Sequence, residues 1–272
     1  MIEKIKRRIH SLLRSRRFYL FSKKISRWAR CLKIKWQLYV HSVELRDHEI
    51  RNLNRYEIKI YSQNGEDGIL DAIFSKIGTT NKFYVEFGVE DGEECNTRFL
   101  QNEKGWRGLL MDGYEQKSKK IKKEFITAEN INDLFRKYQV PKAFDLLSID
   151  IDGNDYWVWK AIDSSYAPRV VVIEYNASIP PTESKVIPYD PNFSWDITNY
   201  FGASLLALVK LAKTKGYTLV GCDLCGVNAF FVQDRLMLGH FITDSIDKLY
   251  RPVNYFNKGM SHPSKEGFYL EV

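Results

Sequence analysis

The sequence predicts an α/β fold: a mostly parallel seven-stranded, Rossmann-like sheet that closes with a C-terminal antiparallel hairpin and is preceded by a basic helical extension. Three observations lead there. Apolar runs that stop at a carboxylate recur at residues 107–112, 143–150 and 168–174. Helix-length amphipathic segments separate such runs, and the run ending in Glu86-Phe-Gly88 breaks into a glycine turn that closes at Gly92. Continuous apolar runs suit strands buried on both faces, and strands alternating with helices imply parallel pairing.

Each element has its own signal. Ser62-Gln-Asn64-Gly-Glu-Asp67 precedes Ile69, Leu70, Ile73, Phe74 and Ile77 at helical spacing, so it reads as a helix cap, with Asn64 and Asp67 in capping-box spacing. Tyr156, Trp157, Trp159 and Ile162 mark a second helix. Leu205, Leu206, Leu208, Val209 and Leu211 mark another, closed by Gly216. Beyond it, residues 217–220 and 228–232 flank Cys222-Asp-Leu-Cys-Gly-Val, a hairpin pattern.

The glycine turn carries the functional information. Only a residue without Cβ lets the chain turn sharply off a strand and approach a bound cofactor. Asp112 stands 24 residues after Gly88, near the spacing of about 20 at which an acid meets ribose hydroxyls. The G-x-G-x-x-G pattern is absent, and the turn holds Glu90, Asp91, Glu93 and Glu94. Such carboxylates repel the pyrophosphate that helix N-termini otherwise attract. A phosphate-free cofactor with a cationic centre fits better. S-adenosylmethionine offers an adenosine for Asp112, an ammonium for the carboxylates and a sulfonium carrying the methyl group.

Over about residues 60–235 the chain resembles the FkbM-type family of S-adenosylmethionine-dependent methyltransferases. The resemblance is carried by Ser62-Gln-Asn-Gly-Glu-Asp, Phe83-Tyr-Val-Glu-Phe-Gly-Val-Glu-Asp-Gly, Cys95-Asn-Thr, Gly105-Trp-Arg-Gly-Leu-Leu and Leu147-Ser-Ile-Asp-Ile-Asp-Gly. The chain departs from the family's pattern at Ser148, where a lysine is usual, and at Asp152, where a glutamate is usual. The resemblance implies that Glu86, Gly88 and Gly92 surround the methionine end of the cofactor and Asp112 its ribose. It also implies that Glu129 or Asn130 reads the adenine amino group. Strand alternation sends Ser148, Asp150 and Asp152 to one face. Asp150 and Asp152 then emerge at the carboxyl edge of the sheet, where open α/β sheets bind ligands, and Asp150 borders both cofactor and acceptor. The turn residues Asp152-Gly153-Asn154-Asp155 also suit a helix cap.

Methyl transfer to a hydroxyl needs the acceptor aligned in line and its proton removed. The five histidines lie outside the motifs, so the catalytic candidates are Asp150, Asp152 and Glu174. The same carboxylates, with Asn176, form an oxygen set suited to Mg²⁺, a metal reading that rests on Asp152, Glu174 and Asn176. Residues 176–202 interrupt the strand–helix rhythm with four prolines and several aromatic residues. They read as a lid over the methyl group, with Asn176, Tyr189 and Trp195 lining the acceptor pocket against sugar faces. A packed structural loop is the alternative.

Residues 1–55 form the extension and 56–272 the methyltransferase-like domain. Residues 1–40 hold thirteen Lys or Arg against Glu3 alone, a charge of +12 in a chain of net +7, which leaves −5 for the rest. Basic helices with interleaved Ile, Leu, Phe and Trp can lie on an anionic membrane surface. A solvated arm or homo-oligomer contact is the alternative, and the acidic body disfavours nucleic acid. No apolar run approaches the roughly 20 residues of a membrane span, and no signal-peptide core appears. A cytoplasmic protein, peripheral at the inner membrane face, is expected. Four cysteines lack metal-site spacing and suit a reducing compartment.

The expected activity is S-adenosylmethionine-dependent O-methylation of a sugar, glycan precursor or related metabolite. The alternatives are a nucleic-acid or other small-metabolite methyltransferase, and a non-catalytic, membrane-associated interaction module of the same fold.

Overall fold

The computed structural model describes residues 32–45, 48–114, 118, 120–255 and 259–272. The chain divides into two compact units, residues 1–44 and 45–272. Residues 32–45 are helical (α1). The α/β body thus begins at Leu45, ahead of the expected boundary at 55/56. The reason is burial: Ile50, Leu53 and Tyr56 enter its core, and Ile50 bridges to Phe241.

Seven strands form the main sheet: β1 Phe83–Phe87, β2 Arg107–Asp112, β3 Ile121–Lys123, β4 Ala143–Ile149, β5 Ala167–Glu174, β7 Tyr217–Cys222 and β8 Asn228–Gln233. Their order is β3-β2-β1-β4-β5-β8-β7, with β8 antiparallel to both neighbours and the remaining pairs parallel. The helices of the body are α2 Glu66–Ile77, α3 Arg98–Lys104, α4 Ile131–Lys137, α5 Asp155–Ala161, α6 Leu205–Lys215 and α7 Ile246–Leu249. The α/β class, the mostly parallel sheet and the closing hairpin are as the apolar runs predict.

Alternation decides what each strand buries. Val85 and Phe87, Leu147 and Ile149, Val171 and Ile173, and Ala229 and Phe231 point to one face. There they pack with Phe135 of α4, Trp159 of α5 and Leu208 of α6. Residues of the opposite parity, including Glu86, Ser148 and Val172, point to the other face, along which α2 is tied at both ends. Arg169 of β5 donates to the carbonyls of Ile77 and Gly78 at 2.7 and 2.6 Å, and Asn228 Nδ2 donates to Glu66 at 3.1 Å. Arg169 also pairs with Asp145, which accepts the amides of Thr80, Asn81 and Lys82.

The expected capping box at α2 does not form. Gly65 is the N-cap, at φ +148°, and the first-turn amide of Asp67 is accepted by the Ser62 hydroxyl at 3.2 Å, not by Asn64. Instead the first two helical residues turn back. Glu66 accepts the amides of Asn64 and Gly65, and Asp67 accepts those of Ile60, Tyr61 and Ser62. Carboxylates at the positive end of a helix are favoured, and here they also organise the incoming loop.

The 176–202 segment is anchored rather than free along its first half. It contains β6, Lys185–Val186, which pairs with β9, Leu270–Glu271, and bridges to Ala203. Val186 and Ile187 are buried.

Candidate functional site

The site is assembled along the carboxyl edge of the sheet. Register places Phe87, Ile149 and Ile173 in one row. One step further come Gly88, Asp150 and Glu174, and Glu174 faces Asn228 across the antiparallel pair. Gly88 has φ +76°, and a Cβ there would lie 1.3 Å from the Asp150 carbonyl oxygen. Only glycine permits that approach. Gly92, at φ +80°, closes the turn, and its missing Cβ would come within 3.1 Å of Ile121.

Asp112 ends β2 beside this turn. Its two oxygens accept the amides of Glu90 and Tyr114, each at 2.8 Å. Each carboxylate oxygen has a second acceptor direction, so two vicinal hydroxyls fit this group. Asp112 therefore suits a ribose, although it lies nearly buried. The charge around the turn is partly offset, since Glu94 pairs with Lys59 and Glu93 with Arg98. Glu90 and Asp91 remain exposed and without a recorded ion pair among the described residues, so a pyrophosphate is still disfavoured.

Glu86 plays a different part from the one expected. It is buried beneath the turn, where it accepts the amides of Asn96 at 2.7 Å and Thr97 at 3.1 Å and the Thr97 hydroxyl. Asn96 in turn reaches Ser148 at 3.1 Å. Glu86 thus fixes the entrance to α3 and positions the turn from below rather than contacting a cofactor. Burial raises its carboxyl above the ordinary range, an effect opposed by those hydrogen bonds.

Asp150, Asp152 and Glu174 meet. One carboxylate oxygen from each lies within 4.8 Å of the others. Among the described residues no cation pairs with them and no donor is recorded to their side chains, and Glu174 Oε2 is buried without a partner. Asp150 and Glu174 are raised well above the ordinary carboxyl range, first by loss of water and then by neighbouring carboxylates. Asp152, at the solvent-exposed rim and at φ +59°, is raised to about 6 by the protein surrounding its carboxylate and by Asp155, Glu90 and Asp112. Asp155 shapes this turn by accepting the amides of Ile151 and Gly153, each at 2.9 Å. Three such groups can share protons with an acceptor hydroxyl, or they can bind a cation.

Asn176 does not join them. It is fully buried. Its Nδ2 donates to the carbonyls of Asn199 and Phe201, each at 2.8 Å, and its Oδ1 accepts the amide and hydroxyl of Ser178. Both lone pairs are used, so the metal and acceptor roles expected of Asn176 give way to stapling the loop base.

The outer part of the loop covers the edge. Asn154 donates to the Asp190 carbonyl at 2.7 Å, Trp157 to that of Ile187 at 2.9 Å, and Phe193 covers Gly153, where a Cβ would sit 2.4 Å from its ring. Tyr189 bridges to the loop before α4: its hydroxyl accepts the Ala128 amide at 3.1 Å and bonds Glu129. Tyr189, expected in the acceptor pocket, is thus a latch onto the loop expected to flank adenine. Asn130 accepts the Thr127 amide and donates to the Phe125 carbonyl at 2.7 Å, so its amide shapes that loop.

Trp195 donates to the Thr198 carbonyl and packs with Phe201 and His262, ring centres 6.0 and 4.7 Å apart. Tyr255 stacks on His262 at 4.5 Å. Burial and then the carboxylates of Glu174 and Asp223 raise its phenol, with Asp150 contributing. Sequence reasoning missed Tyr255, His262, Asn228 and Glu66. Only Asn228 had a readable signal, because a hairpin returning along the 168–174 run must place some residue opposite Glu174.

A cleft of about 940 Å³ opens at the opposite, amino-terminal edge, lined in part by Trp159, Tyr166, Lys215 and Arg235. It shares no residue with the carboxylate edge. Most of the basic extension lies outside the described residues. Within α1, Leu32, Trp36, Tyr39, Val40 and Val43 are exposed. Among the described residues no helix is long and apolar enough to cross a membrane. No protein-family model and no curated protein matches the chain.

Proposed function

We propose that this chain is an S-adenosylmethionine-dependent O-methyltransferase of the FkbM type, acting on a hydroxyl of a sugar, glycan precursor or related metabolite. One observation carries the reading: the Gly88 turn lies against the Asp150 backbone, with Asp112 at the end of the adjacent strand. That combination brings a glycine turn and a rim of carboxylates together at the carboxyl edge, which suits an adenosyl group with a positive charge beside it. A sheet in which one antiparallel strand, β8, is inserted before the last strand agrees with the reading.

The cofactor, when bound, supplies an electrophilic methyl group. Asp112 would hold its ribose, the Gly88–Gly92 turn its methionine end, and Asp150 its ammonium. Asp152, raised to about 6, is ionised near neutral pH yet basic enough to take a hydroxyl proton. Glu174 and Asp150 orient the acceptor oxygen, and the outer loop with Trp195 excludes water from it. Transfer of labelled methyl from S-adenosylmethionine to a panel of free sugars, nucleotide sugars and lipid-linked glycans tests the reaction. Label fixed as an alkali-stable methyl ether supports it, whereas label found only as labile esters or on nitrogen removes a hydroxyl as the target.

A surface role for the extension rests on the exposed stripe of α1 and the +12 charge of residues 1–40. Peripheral contact with an anionic membrane at the cytoplasmic face follows, either alongside methyl transfer or in its place. Liposome co-sedimentation should capture the full chain more strongly than one starting at Leu45, where the body begins. Equal capture removes this role.

A further inference from the structure

The unpaired oxygens at the carboxyl edge are not confined to one acidic cluster. Asn228 starts β8 directly opposite Glu174, and residues opposite one another in an antiparallel pair project to the same face. Asn228 is 2% exposed, and its Oδ1 has no partner. Its orientation is fixed chemically: Nδ2 donates to Glu66 Oε1 at 3.1 Å, and a carboxylate requires the donor end of the amide. The carbonyl end is therefore the one left over, beside Glu174. Glu174 Oε2 is likewise buried and unpartnered. Two buried acceptors without donors, next to Asp150 and Asp152, make up a set of oxygens that lacks a positive group.

We propose that Asp150, Asp152 and Glu174 bind a hard divalent cation such as Mg²⁺ or Mn²⁺, with the Asn228 amide oxygen as a further direct or water-bridged ligand. The donor set is entirely oxygen, which selects this class over zinc or copper. Approach of the three carboxylates to within 4.8 Å has an immediate cause in such an ion. Asp152 lies at the exposed rim, so the coordination positions on that side open toward the outer loop. Ions of this class keep waters there and exchange them for substrate oxygens. Resting on the methyl-transfer reading, the acceptor would be one that offers two adjacent oxygens, the reacting hydroxyl and a neighbour, as on adjacent carbons of a sugar ring. The cation site itself does not depend on that reading.

The test uses the full chain after dialysis against chelator. Mn²⁺ is titrated in and followed by loss of the free-ion electron paramagnetic resonance signal, with Mg²⁺ in competition. The site predicts one saturable equivalent displaced by Mg²⁺. Asp152→Asn and Glu174→Gln should each weaken it at least about 100-fold and Asn228→Ala about tenfold, the range typical of ligand and supporting-shell losses. Asp152→Asn and Glu174→Gln are close in shape to the parent residues, and a thermal melt verifies the folding of all three variants. If one variant fails to fold, the wild-type stoichiometry and the other variants still decide. No saturable binding by the wild type, or binding undiminished in both Asp152→Asn and Glu174→Gln, overturns the proposal. S-adenosylmethionine binding measured on the same chelated samples separates this outcome from failure of the methyltransferase reading.

Discussion

Gly88 packs against the backbone of Asp150 so closely that the carbonyl oxygen of Asp150 occupies the place a Gly88 side chain would take, 1.3 Å from the missing Cβ. Two strand ends are thereby drawn together, and the placement of the acids at this edge depends on the contact.

Gly88→Ala should therefore be severe. Its Cβ meets backbone, which cannot swing aside, and φ is +76°. A loss of about 3 kcal/mol or more is expected from overpacking and left-handed strain together. Gly92→Ala meets only the end of the Ile121 side chain at 3.1 Å, so about 1–2 kcal/mol is expected. Urea unfolding midpoints compare them, and equal costs would show that the Asp150 contact is not what constrains Gly88.

Tyr189→Phe removes the hydroxyl that joins the outer loop to Ala128 and Glu129. The cofactor should leave about tenfold faster, read by stopped-flow fluorescence, while acceptor affinity changes little. Trp195→Ala should do the reverse, because Trp195 packs with His262 and Phe201 and has no recorded contact with the loop before α4.

Stability should fall as pH rises through neutrality. Burial pushes Glu57 up to about 7 from an ordinary 4.5, against hydrogen bonds from Asn54 and the Leu224 amide. A carboxyl with a raised folded-state pKa contributes fully below the unfolded value. Its contribution is lost as pH climbs from about 4.5 through about 7. Glu57→Gln keeps the acceptor oxygen and cannot ionise. Its unfolding free energy should change less between pH 5 and pH 8 than that of the wild type, by on the order of 2 kcal/mol. Parallel curves would exclude Glu57 as the titrating group.

The strands, the glycine turn, the hairpin and the convergence of Asp150, Asp152 and Glu174 were legible because period and punctuation are local properties. What was not legible depends on partners distant in sequence. Asn176 looks like a ligand beside Glu174 until Asn199 and Phe201 claim its amide. Glu86 looks like a cofactor contact until Asn96 and Thr97 use its oxygens. The cap at Asn64 gave way because Gly65 adopts φ +148°, which frees Glu66 and Asp67 to hold the preceding loop. Tyr255 and His262, which pack together beside Trp195 of the outer loop, come from the C-terminal tail with no motif to announce them.

Calorimetric titration of the full chain with S-adenosylmethionine tests the central claim most directly. The account predicts one saturable site per chain, weakened roughly 100-fold by Asp112→Ala through loss of two charge-assisted hydrogen bonds, with NAD binding far more weakly. Absence of binding, binding indifferent to Asp112, or preference for the dinucleotide would contradict a phosphate-free adenosyl pocket at this edge.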